Sequence, residues 1–135
     1  MTETKQSEFR SYADLITSLP EANIQSKGIR GWVLQGKDHQ LVFLQMEANA
    51  RIPEHNHEYA EWMILLEGEM ELTIKGRTSK HKKGDEVVIP VHAQHNACFL
   101  TKSRVVALFS ERTRYRTRLP PNVATRKQLR SEEQG

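Results

Sequence analysis

Cysteine is almost missing from this sequence: Cys98 is the one example among 135 residues. No intrachain disulfide can form, and nothing in cysteine usage points to an oxidising compartment. Long apolar runs are missing too, since no window approaches the roughly 18 apolar residues of a membrane span. The opening residues, MTETKQSEFR, hold no apolar stretch of the kind found in a secretory leader. A soluble, cytoplasmic chain with no membrane partner is the expectation. The length suits one domain and leaves no room for a catalytic domain beside a separate regulatory one. Hydrophobic residues make up 37% and charged residues 27%, which is polar but still allows a packed core.

Acid is missing from one long stretch. Residues 112–130 carry Arg112, Arg114, Arg116, Arg118, Arg126, Lys127 and Arg130 with no Asp or Glu. The whole chain is +3, so the remainder is −4, and the basic character belongs to a tail. Arg112 to Arg118 alternate with Thr113, Tyr115 and Thr117. Period two places all four arginines on one face of an extended segment. Such a ladder serves either as a charged edge strand that resists aggregation or as an anion or nucleic-acid contact. Aromatic residues interleave only at Tyr115, which favours the edge strand over nucleic acid. Pro120 and Pro121 stop any ladder, and Asn122 is placed to cap a short helix over 123–130.

Helical periodicity is scarce elsewhere. Ser11 to Leu19 reads as a short helix, with Ser11 as cap, Leu15, Ile16 and Leu19 facing inward, and Pro20 as terminator. From Ile29 to Ser110 the pattern is strands and turns. Apolar runs at Trp32–Leu34, Leu41–Glu47, Trp62–Leu66, Met70–Ile74, Val87–Ile89, Ala97–Leu100 and Val105–Phe109 are separated by turn signals at Glu67-Gly68, Lys75-Gly76 and Lys83-Gly84-Asp85. Short strands without crossover helices predict an all-β, antiparallel sandwich or barrel. The expected organisation is an N-terminal segment over 1–28, a barrel over 29–111 and a basic extension over 112–135.

The histidines are grouped. His55 and His57 are two apart, so an extended chain points both rings to one side. Glu61 follows after a bend, and His95 arrives from a later strand. Imidazoles with one carboxylate suit a first-row divalent ion such as Fe, Mn, Ni or Zn, and are too nitrogen-rich for calcium or magnesium. If Glu61 points inward, Met63 and Leu65 do as well, while Trp62, Ile64 and Leu66 face outward and need cover from a second subunit or the N-terminal segment, or else pack within one chain.

The full spacing is His55-x-His57-x3-Glu61-x6-Gly68, then Gly84-x5-Pro90-x-His92-x2-His95. It resembles the two conserved motifs of the cupin superfamily, G-x5-H-x-H-x3,4-E-x6-G and G-x5-P-x-G-x2-H-x3-N. Asn49 stands at the leading Gly, His92 at the middle Gly and Phe99 at the closing Asn. The likeness to small single-domain cupins implies an antiparallel double-stranded β-helix, or jelly roll, with a short N-terminal helix. It implies His55, His57, Glu61 and His95 as ligands to one metal ion. It also implies a small-molecule ligand and a homodimer.

Four protein ligands on a six-coordinate ion leave two positions for substrate, water or dioxygen. The resemblance suggests dioxygenase, isomerase or lyase chemistry on a sugar, uronate, carboxylate or diketone, with Tyr59 and His92, beside Glu58, as candidates for proton transfer. Ala107 to Ser110 looks like the C-terminal motif of the cupins that linearise unsaturated uronates, but without an acid near Ala107. The alternatives are a non-catalytic ligand-binding or sensor module and a closed structural zinc site.

Overall fold

In the computed structural model, residues 9–118 are described. A single helical turn, α1 (Asp14–Thr17), precedes nine strands: β1 (Ile29–Gln35), β2 (Gln40–Met46), β3 (Arg51–His55), β4 (Glu61–Glu67), β5 (Glu69–Ile74), β6 (Arg77–Lys82), β7 (Glu86–Ile89), β8 (His95–Phe99) and β9 (Ser103–Phe109). They form two antiparallel sheets, ordered β1-β2-β9-β4-β7 and β3-β8-β5-β6. The fold is therefore an all-β jelly roll, with one short helix among the described residues.

Strand alternation decides what lies between the sheets. In β4, Glu61, Met63 and Leu65 are buried while Trp62, Ile64 and Leu66 are partly exposed. Val42, Leu44 and Met46 of β2, Val105, Ala107 and Phe109 of β9, and Met70 and Leu72 of β5 complete the interior. The β5–β6 hairpin turns on Lys75 and Gly76, both at positive φ (50° and 78°), as a two-residue hairpin of this hand requires. Gly68 has φ 96°, and a Cβ there would collide with Ser103 Oγ. Only glycine fits that turn.

Two strands had no apolar signal. Strand β6 has no aliphatic or aromatic residue and is formed through its pairing with β5. Strand β3 contains Pro53, which is tolerated because β3 is a sheet edge. Its pairing with β8 slips by one residue: Ile52 faces Ala97, yet His55 faces His95. Strict alternation from Ile52 would aim Glu54 inward. The bulge changes the phase so that His55 takes that place.

Two expectations are corrected. The helix is one turn, with Ala13 at its N-cap and no side-chain cap, so Ser11 does not cap it. Leu15 is 83% exposed instead of inward-facing. One turn is too short to hold an apolar face against the sheet. Tyr12 docks in its place: its ring packs edge-on to Trp32 and Phe43, and its hydroxyl lies 3.1 Å from Leu44 O and 2.9 Å from Val105 O. Burial raises the Tyr12 pKa.

The arginine run is not a strand. Residues 112–118 form turns with one isolated bridge, Ala22 to Thr117. Their backbone is held by the 21–23 segment, through Asn23 N to Arg116 O and Arg118 N to Glu21 O. Buried Gln40 closes the rest: Nε2 donates to Tyr115 O at 3.0 Å, and Oε1 accepts from Tyr115 N at 2.9 Å. The arginines therefore do not share a face. Arg118 donates to Ala22 O and Ile24 O, Arg112 and Arg116 are exposed, and Arg114 turns toward the barrel. The helix expected over 123–130 lies outside the described residues.

Candidate metal centre

Each histidine of the cluster is locked through Nδ1 to a main-chain oxygen. His55 Nδ1 is 2.9 Å from Pro53 O, His57 Nδ1 is 2.7 Å from Tyr59 O, and His95 Nδ1 is 2.8 Å from Ala93 O. A carbonyl only accepts, so Nδ1 carries the hydrogen in all three rings. In the neutral ring Nε2 is then a bare lone pair. One ring nitrogen from each of His55, His57 and His95 lies within 4.8 Å of the others. Glu61 Oε1 is 3.3 Å from His57 Nε2 and 3.9 Å from His95 Nε2.

This arrangement is unfavourable without a cation. His57, Glu61 and His95 are all buried, and among the described residues His95 Nε2 has no hydrogen-bond partner. Buried polar atoms are rarely left unpaired. A lone pair facing a carboxylate oxygen at 3.3 Å is repulsive unless a positive centre lies between them. Two ligands each about 2.1 Å from one ion sit about 3–4.2 Å apart for angles between 90° and 180°, a range that holds both carboxylate–imidazole separations. Three Nε2 lone pairs and a carboxylate fit a first-row divalent ion. Burial, reinforced by His95, Arg114 and His57, pushes the His55 pKa below the ordinary imidazole value and favours the neutral ring.

The neighbouring candidates divide. Tyr59 stacks flat on His57, with centroids 4.4 Å apart and planes 2° apart, and its carbonyl orients that ring. Its side chain supports His57 and is not among those lining the cavity. Burial raises its pKa. Glu58 and His92 are exposed. His92 adopts φ 65° at the family's glycine position, and its backbone N–H donates to His57 O at 2.8 Å. The left-handed turn is thus tolerated, as at Asn49 with φ 70°.

A small cavity of about 30 Å3 opens beside the cluster. His55, Glu61 and His95 line it with Met63, Leu72 and Phe99, among other apolar side chains. Arg114 and Tyr115 also line it, and reading the sequence alone missed both. The available signal was the lone aromatic within the arginine run, but nothing in the pattern separates Arg114 from its three neighbours. Burial raises the Tyr115 pKa, keeping its phenol protonated.

The cupin domain family model matches residues 42–110, just over half of the chain, and the chain belongs to this family. Among solved structures, KdgF from Halomonas sp. is 26% identical, with TM-score 0.64 over 69% of this chain and 87% of that one. An RmlC-like cupin from Shewanella frigidimarina is 21% identical, with TM-score 0.66 over 80% and 94%. Salicylate 1,2-dioxygenase from Pseudoaminobacter salicylatoxidans, a structure of its adducts with gentisate, is 16% identical, with TM-score 0.61 over 64% of this chain and 26% of that one. The last two likenesses are of fold alone. A search of curated proteins gives no match.

Proposed function

We propose that this cupin holds one divalent transition-metal ion, of the class Fe, Mn, Ni or Zn, through His55, His57, Glu61 and His95, and uses it to bind a small organic molecule. The buried, unpartnered Nε2 of His95 carries this reading. The ion supplies Lewis acidity to a ligand oxygen. The chain does the rest. Three carbonyls hold the imidazoles in one tautomer, Tyr59 backs His57, and the apolar wall excludes water from the ligand's body. A groove of about 360 Å3 lined in part by His55 favours an accessible centre over a closed structural zinc site. Whether bond chemistry follows binding is decided by assay: turnover of a uronate, sugar, carboxylate or diketone supports an enzyme, and binding without turnover supports a ligand-binding module. Elemental analysis of wild type and His57→Ala tests the ligand set. Equal metal content in both contradicts it.

A homodimer belongs to the same proposal. Leu34, Leu41, Leu108, Trp62 and Val88 are cross-strand neighbours in one row over the outer face of the five-stranded sheet. Val88 is 61% exposed and Leu34 49%. Burying such a row against a second copy gains hydrophobic free energy.

A further inference from the structure

Among the described residues lining the cavity, Arg114 is the one with a fixed positive charge; exposed Arg116 joins it along the neighbouring groove. Its guanidinium carbon lies 4.2 Å from the Tyr115 ring centroid and 5.4 Å from that of Phe109. Among the described residues it has no carboxylate partner and no side-chain hydrogen bond, and its Nε is buried without a partner. The other arginines of the run are exposed or pair with backbone oxygens. The backbone beside Arg114 is pinned by the two hydrogen bonds of buried Gln40 to Tyr115. A planar cation with spare donors is thus held beside the imidazole cluster. Stacking on aromatic rings orients the fork without using its N–H groups. A guanidinium matches a carboxylate in geometry and charge, and two parallel N–H···O bonds give both strength and orientation.

We propose that Arg114 anchors the carboxylate of the ligand, so that the site selects small organic acids over neutral sugars and diketones. This rests on reading the pocket at the histidine cluster as the ligand site of the metal centre. The acid lies in the groove of about 360 Å3 that His55, Arg114 and Tyr115 line, with exposed Arg116 at its rim. Its carboxylate sits on Arg114, its apolar body against Leu44, Ile52 and Pro53, and another oxygen toward the histidine cluster.

The test is calorimetric titration of metal-free and manganese- or zinc-loaded protein with benzoate, mandelate and 2-oxobutyrate, and with the matching primary amides. At least one acid is expected to bind loaded wild type about 10-fold or more tighter than its amide. Arg114→Gln is expected to abolish that preference with metal content unchanged, and Arg114→Lys to keep part of it. Every acid binding no tighter than its amide, absence of binding included, overturns the proposal. So does a preference that survives in R114Q. Failure of the metal reading looks different: His95→Ala holds as much metal as wild type, while an Arg114-dependent preference persists in metal-free protein.

Discussion

At the scale of single residues, tautomer is what makes the cluster a binding site. Each imidazole has already used its hydrogen on a carbonyl, so only lone pairs face Glu61. Removing a ring removes a ligand without disturbing strand pairing. His95→Ala is therefore expected to cut metal affinity by at least about 100-fold, and Glu61→Gln by about 10–100-fold, read by competition with a chromophoric chelator. Acid acts in the same direction as these substitutions. Burial holds His55 below its ordinary value of 6.5, so the unfolded chain takes up this proton first as pH falls. The stability tied to neutral His55 is complete above that value and is lost as pH drops through it toward the folded value. In metal-free protein, the melting temperature is expected to fall as pH drops below the ordinary imidazole value of 6.5, and His55→Asn to flatten that slope. A slope unchanged in H55N contradicts the assignment.

At the scale of elements, three small devices aim the site: the β3 bulge, the Gly68 turn and the Gln40 clasp. Gly68→Ala puts a Cβ at φ 96° against Ser103 Oγ and Lys102 O, and is expected to cost about 1–3 kcal/mol in chemical denaturation. Gln40→Leu leaves the N–H and carbonyl of Tyr115 without partners and is expected to cost about 1–3 kcal/mol. Faster proteolysis after Arg112, Arg114 or Arg116 than in wild type is the companion readout. Elements also differ in how legible they were. Strands whose inner face is apolar, such as β2, β4 and β9, announce themselves by alternation. Strand β6 does not, because both its faces are polar and its strand state comes from the hairpin turn. Arginines 112–118 alternate as a strand would, yet long-range hydrogen bonds to Gln40 and residues 21–23 override that local preference. For this reason the inward turn of Arg114 was out of reach of pattern alone.

At the scale of the molecule, the jelly roll was readable from glycine, proline and histidine spacing, because those residues mark turns and a shared pocket, which survive when strand sequences drift. Cover for the outer sheet face was readable only as a choice between the N-terminal segment and a second subunit. Tyr12 takes Trp32 and Phe43, and the row from Leu34 to Val88 remains for the proposed second copy. Light scattering after size exclusion is expected to give a dimer for wild type and a monomer for Leu108→Glu, since a charge at the centre of an apolar interface goes unpaired. A wild-type monomer contradicts the dimer.

The central claim is that the four side chains share one metal ion. X-ray absorption at the metal edge of zinc- or manganese-loaded protein tests it most directly. The account predicts about one ion per chain with three imidazole nitrogens in its shell, falling to two in His95→Ala. A shell of oxygens with no imidazole scattering, or the same shell in wild type and H95A, contradicts it.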